Sequence, residues 1–292
     1  MSKRPILRSA AVAGFAHGVA RARIAVTLAA VAAAAVAAGA GSARIVAYPS
    51  GMVVLGHSGA TGFASDPAHP GRDARTNSWA AGTNPAVRSI YQRILAVNPA
   101  IRGHNPNFAQ DGATLKELAG QVRHAIALRS KPQLVLVQIG DNDIRCDGRD
   151  ATRYGEFERG LATQLDTLAS GLPGARIFVV SPWGTLGSYI RAIQSLGLGV
   201  RLEHAGKGPC SLFAPRTGAV VRDHVAYVQR TLNGFTAAMA AACKTVPTCT
   251  YDAGAASRMN VNPADLGWRH EHLSIKGHAK LAAIEWRALY GR

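Results

Sequence analysis

Acidic residues are scarce in this 292-residue sequence, where 17 Asp and Glu stand against 33 Lys and Arg for a formal net charge of +16. The basic residues form no dense run and do not alternate with aromatics, and no zinc-finger spacing occurs, so a nucleic-acid partner is not indicated. The four cysteines contain no Cys-x-x-Cys and no paired Cys/His spacing, which argues against a structural metal. There is no internal repeat and no Pro- or Ser-rich linker after residue 43, and no segment beyond that point reaches transmembrane length. One domain of ordinary to large size is the simplest reading.

The first 43 residues are distinct. Lys3, Arg4, Arg8, Arg21 and Arg23 are charged there and no acid is present. Ile24 to Gly41 is nearly all Ala, Val, Leu and Gly, and Gly-Ser-Ala closes the segment at Ala43. A basic start, an apolar stretch and small residues describe a secretory signal peptide, so residues 1–43 are expected to be removed and 44–292 to form the mature domain. In an exported chain, Cys146, Cys210, Cys243 and Cys249 read as two disulfides. Three pairings are available; Cys243–Cys249 would close a short local loop, and Cys146–Cys210 would then join two long ones. Export and a basic surface suit peripheral contact with an anionic cell envelope.

From Met52 onward, strand and helix patterns alternate. Met52 to Gly56 and Arg176 to Val180 are short apolar runs, and Gln133 to Ile139 is a continuous one between Pro132 and Gly140, as in strands buried on both faces. Helical periodicity appears over Pro85–Val97, Ala113–Leu128, Tyr154–Leu168 (with Thr152 as its cap) and Arg222–Ala242. A last helix follows Ser274. Thr248 to Tyr251 is a further short strand. Trp183 to Arg222 reads as a glycine-rich insertion, either shaping a pocket or forming a stapled surface loop. Such alternation implies a parallel sheet wrapped by helices, with ligands bound beyond the carboxyl ends of the strands.

Four blocks lie at such ends or at the starts of helices. Gly56-His57-Ser58-Gly59 puts a hydroxyl on a glycine-flanked turn. Asn107-Phe108-Ala109-Gln110-Asp111-Gly112 leads into a helix, whose start presents free N–H donors. Gly140-Asp141-Asn142-Asp143 supplies a neutral amide; its two carboxylates suggest a cation only weakly, with no further acidic ligands nearby. His270-Glu271-His272-Leu273-Ser274 precedes the last helix. Each block alone is modest.

In this order the blocks resemble those of the SGNH (GDSL-like) hydrolase superfamily, over roughly Val53 to Leu289. The resemblance implies a three-layer α/β/α sandwich with a central parallel, flavodoxin-like sheet. It implies that Ser58 is a nucleophile, that His272 is its general base, and that an oxyanion hole is built from the N–H groups of Ser58 and Gly112 with the Asn142 amide. Carboxylic ester hydrolysis follows as the expected activity, with no cofactor or metal, on small-molecule, lipid or polysaccharide esters. A monomer is expected. An acyltransferase or carbohydrate deacetylase would use the same site. Two positions depart from the pattern. His57 stands where Asp is usual, and Arg269 where the third triad residue would be. Arginine cannot accept a hydrogen bond, so the Arg269 carbonyl is the expected orienter of His272, with Asp265 and Glu271 as alternatives. These departures also motivate a non-catalytic protein that binds envelope lipid or carbohydrate. A nucleophile elbow of the α/β-hydrolase kind fits less well, because Ala60 replaces the second glycine and Ser58 follows the first strand.

Overall fold

In a computed structural model, residues 48–291 are described; the expected leader, 1–43, lies outside them. Four strands, β1 (Met52–Gly56), β2 (Leu134–Gln138), β3 (Arg176–Val179) and β4 (Cys249–Tyr251), form a parallel sheet in that order. The other edge of β1 is also paired. Val54 bridges Asn107 in parallel, and segment 104–110 follows β1 through bonds such as Phe108 N–H to Val54 O at 2.8 Å and Gln110 N–H to Gly56 O at 3.0 Å. Counted in chain order, this winding is 2-1-3-4-5, the flavodoxin-like arrangement. Its topological switch point lies between the carboxyl ends of β1 and β2.

Eight α-helices surround the sheet among the described residues: α1 (Ser58–Thr61), α2 (Ile90–Val97), α3 (Leu115–Ala127), α4 (Tyr154–Gly171), α5 (Leu186–Ser195), α6 (Leu198–Glu203), α7 (Arg222–Lys244) and α8 (Ile275–Tyr290). The period-2 alternation of strand side chains builds two cores. Met52, Val54, Leu134, Leu136 and Phe178 pack with Ile90, Ile94, Ile193 and Leu281. Val53, Leu55, Val135, Val137 and Ile177 pack with Leu118, Leu161, Phe235 and Met239. The three layers expected from the sequence are therefore present. Burying each such aliphatic side chain contributes about 1.5–3 kcal/mol, so these two cores outweigh exposed pairs such as Arg75–Asp73, each worth below about 1 kcal/mol. None of the described helices is long and apolar enough to cross a membrane.

Several boundaries differ from the sequence reading. The helix expected over 85–97 begins at Ile90, because Arg88 has a positive φ of 50° and Ser89 makes the capping box with Gln92. The helix expected from Ala113 begins at Leu115, since Thr114 is its cap; Gly112 thus lies on the preceding turn and not at the helix start. Thr152 does not cap α4. Its hydroxyl donates to Arg149 O at 2.9 Å within a separate 3-10 turn, Asp150–Arg153. The 183–222 insertion holds two helices, α5 and α6. Both favoured disulfides are present: Cys146–Cys210 ties this insertion to the loop after β2, and Cys243–Cys249 joins the end of α7 to β4.

The junction that sets the switch point is Gly56. Its φ is 140°, and a Cβ there would lie 1.9 Å from the Gln138 carbonyl oxygen. Gln121 grips the same residue with both side-chain ends, accepting from Gly56 N–H at 2.6 Å and donating to Gly56 O at 2.9 Å. Neither the conformation nor the space admits a side chain. Gly56→Ala is expected to cost roughly 3 kcal/mol or more, read as a lowered urea midpoint. An unchanged midpoint would mean that β1 and β2 part easily at this turn.

Candidate active site

The chain leaves β1 at Gly56 and turns at once into α1. His57 caps that helix: its Nδ1 accepts from the Gly59 N–H at 3.0 Å, as a carboxylate would. This explains how histidine serves where aspartate is usual. Its Nε2 lies 3.3 Å from Asp141 Oδ2. The two blocks flanking the switch point are thereby linked. The His57 N–H also donates to Gln138 O at 3.1 Å. Asn107 ties the second block to α1, its Nδ2 donating to Ala60 O at 2.9 Å, while Arg75 holds the carbonyls of Asn107 and Ala109 at 2.8 and 2.9 Å.

Ser58, the first residue of α1, is nearly buried, and its Oγ lies 2.9 Å from His272 Nε2. The two residues are 214 positions apart in sequence. The histidine sits on the loop before α8, and main-chain bonds fix that loop. Gly267 N–H donates to His272 O at 2.8 Å, Trp268 N–H to Ala64 O at 3.0 Å, and Ser274 N–H to Asp265 O at 2.9 Å. Ser274 caps α8, as expected. The Phe63 ring packs against the imidazole, centroids 4.8 Å apart. Burial holds the His272 pKa below its ordinary 6.5, and the adjacent His57 ring lowers it further, against weaker opposing attraction from Asp111, Glu271 and Asp141. Its imidazole is accordingly neutral at pH 7, with Nε2 available as an acceptor.

Among the described residues, Nδ1 of His272 makes no hydrogen bond, so the geometry does not join it to the Arg269 carbonyl. Arg269 and His270 both have left-handed backbone, φ 57° and 61°, in the turn that precedes His272. Asp265 is otherwise engaged: its Oδ2 accepts from Asn262 N–H at 2.9 Å and from Lys280 Nζ at 2.8 Å. Glu271 lines the same cavity as His272.

The expected oxyanion donors are free to different degrees. Among the described residues, neither the Ser58 N–H nor the Gly112 N–H has a hydrogen-bond acceptor. Asn142 donates one amide hydrogen to Ala113 O at 3.0 Å, which brings it beside the residue after Gly112 and leaves its second hydrogen free. Gly112 has φ 70° and open space where a Cβ would be. Asp143 is committed to structure: both its oxygens lie 3.2 Å from Leu115 N at the start of α3. Burial pushes its pKa up to about 6. No group of three or more metal-ligating side chains occurs among the described residues.

Ser58, Asn142 and His272 line one cavity of about 310 Å³, and Gly112 lies outside its walls. Its apolar lining comes from Ile144, Trp183, Leu186, Tyr189 and Leu232, beside polar His57, Asp141 and Glu271. Trp183, Leu186 and Tyr189 belong to the 183–222 insertion that was expected either to shape a pocket or to form a surface loop, whereas Ile144 and Leu232 were not anticipated. The usable signal was the strand rule itself, because Ser181-Pro182-Trp183 directly follows β3.

The GDSL-like Lipase/Acylhydrolase family profile matches residues 54–280. No curated protein matches the chain. Among solved structures, phospholipase A1 from Streptomyces albidoflavus NA297 is similar at 13% identity, covering 82% of this chain and 98% of that one, with a TM-score of 0.47. An extracellular lipase from Streptomyces rimosus is similar at 15% identity, 81% and 98% coverage and a TM-score of 0.46. A Clostridium thermocellum family 3 carbohydrate esterase gives 15%, 81% and 92%, and 0.44.

The electrostatics of the pair can be read without any substrate. In an NMR titration of the ring carbons, His272 is expected to protonate with a midpoint below 6.5, moving upward in His57→Asn, which keeps a capping oxygen and removes the opposing ring. A midpoint at or above 6.5, unmoved by that substitution, would refute this description of the site.

Proposed function

The chain belongs to the GDSL-like lipase/acylhydrolase family, and from that premise we propose that it is a serine esterase in which Ser58 and His272 act as a catalytic dyad through an acyl-enzyme. The observation that carries this reading is the 2.9 Å contact between Ser58 Oγ and His272 Nε2 at the wall of a cavity.

The steps follow from the geometry. His272 Nε2 takes the hydroxyl proton as Ser58 Oγ attacks the ester carbonyl carbon. The carbonyl oxygen gains the negative charge, and the Ser58 N–H, the Gly112 N–H and the second Asn142 amide hydrogen are its donors. Gly112 is counted among them on the family resemblance, its turn lying outside the walls of the cavity. Collapse expels the alcohol, which leaves with the proton from His272. Water then attacks the acyl-serine, giving its proton to His272, and the acid departs as Ser58 regains its hydrogen. With Asp265 committed to Lys280 and Arg269 unable to accept through its side chain, the imidazolium formed in each step is stabilised by the field of Asp111, Glu271 and Asp141 and not by a hydrogen-bonded carboxylate.

The protein is further read as exported. The basic and apolar pattern of residues 1–43 and the two disulfides support this, since such bonds persist in oxidising compartments. Its excess of Lys and Arg suits contact with an anionic envelope, as a monomer.

A fluorophosphonate probe and short-chain nitrophenyl esters test the dyad. Wild type is expected to label and turn over, and Ser58→Ala to do neither. Asn142→Ala is expected to lose about 10²- to 10³-fold in kcat with KM little changed, as for removal of one oxyanion donor. Folded wild type that neither labels nor turns over would instead favour the non-catalytic binder.

A further inference from the structure

A row of rings runs from the wall of the cavity to the turn that precedes His272. Trp183 and Tyr189 line the cavity, with their centroids 6.4 Å apart and their planes at 74°. Tyr189 stands edge-on to His204 at 6.2 Å and 88°, and His204 lies 6.1 Å from His270 at 56°. All three separations fall in the range of favourable aromatic pairs. Trp183, Tyr189 and His204 belong to the 183–222 insertion, whereas His270 stands two residues before His272.

That turn needs support from outside itself. Arg269 and His270 are consecutive non-glycine residues with left-handed backbone, a conformation that persists only where the surroundings enforce it. Main-chain bonds hold its start, from Trp268 N–H to Ala64 O and from His270 N–H to Gly267 O at 3.1 Å. Arg269 lays its guanidinium over the exposed Trp268 ring, 5.4 Å from the centroid. His270 meets the insertion through His204.

His204 is itself well anchored. It closes α6, its N–H donating to Val200 O at 3.1 Å. The next residue, Ala205, bridges the fully buried Phe213, and Cys210 is bonded to Cys146. The Tyr189 hydroxyl lies 3.5 Å from His204 Nδ1. Burial holds the His204 pKa below 6.5; Glu271 opposes this and His270 adds to it, so the ring packs uncharged at pH 7. His204 Nε2 and His270 Nδ1 are buried and make no hydrogen bond among the described residues. Ring packing rather than polar bonding therefore joins the two, and no group of three metal-ligating side chains gathers there among the described residues.

Resting on the dyad reading above, we propose that His204 is a positioning residue for that reaction: its ring, braced from the cavity wall by Tyr189, packs the Arg269–His270 turn in its strained form and so keeps His272 Nε2 at Ser58. The insertion thereby supplies through packing the support that a hydrogen-bonded carboxylate would give the imidazole.

The test removes the ring and reads His272. In His204→Ala, kcat for a short-chain nitrophenyl ester and the rate of fluorophosphonate labelling are both expected to fall by about tenfold to 10²-fold, as for a small misplacement of a reacting group, with KM within about twofold of wild type. In an NMR titration the His272 midpoint of this variant is expected to move upward towards 6.5, because the loosened turn admits water to the ring. His204→Phe, which restores an aromatic ring without nitrogens, is expected to regain most of the rate and the wild-type midpoint, and His204→Gln to regain neither. If the alanine variant fails to fold, the comparison of Phe with Gln decides alone. A wild-type rate and midpoint in His204→Ala, a loss confined to KM, or rescue by Gln and not by Phe would overturn the assignment while leaving the dyad intact. A midpoint that responds as described, in a protein whose wild type neither labels nor turns over, would overturn the dyad and retain the brace.

Discussion

The contact between Ser58 and His272 can exist only because the chain turns sharply between β1 and α1 while staying against β2. Gly56 makes that turn with its backbone nearly touching the Gln138 carbonyl, and Gln121 holds both its amide and its carbonyl. His57 then caps α1 and reaches Asp141 beyond β2. The serine is therefore set by the strand pair, at the point where the winding order reverses. The histidine arrives from the far end of the sequence on a loop that main-chain bonds to Ala64 and Asp265 hold in place. Packing and backbone bonding position both partners, so the hydroxyl and the imidazole need little reorganisation to meet.

The local electrostatics follow from the same arrangement. Burial and the neighbouring His57 ring keep His272 neutral, which leaves Nε2 free to accept a hydrogen bond at physiological pH. Three carboxylates oppose that effect at a distance without bonding to the ring. The imidazole thus has no hydrogen-bonded carboxylate among the described residues, and burial disfavours its protonated form. Asp143, next to Asn142, is drawn into the start of α3 and fixes the third block against the second.

Much of this was legible before any coordinates. Continuous apolar runs located β1, β2 and β3, which are buried almost throughout and bounded by glycine or proline. The blocks around Ser58, Asn142 and His272 could be placed because they follow strands or precede a helix. Segment 104–110 was not recognised as a sheet edge: Asn105, Pro106 and Asn107 interrupt any strand pattern, and the pairing comes from β1 rather than from local propensity. The boundary errors at Ile90 and Leu115 arose where a capping side chain, Ser89 or Thr114, overrode the apolar period. The apolar lining of the cavity was legible in part: the insertion that holds Trp183, Leu186 and Tyr189 directly follows β3, whereas Ile144 and Leu232 come from separate segments that only the tertiary fold assembles. Likewise, His57 looked like a departure until its ring nitrogen was found capping α1.

The most direct test of the central claim is to quench the protein during turnover of a slowly deacylated ester and map the covalent adduct by mass spectrometry. The account predicts one acyl group per molecule on the peptide containing Ser58, and none in His272→Ala over the same interval. Acylation of another residue, or of Ser58 at an equal rate without His272, would contradict it.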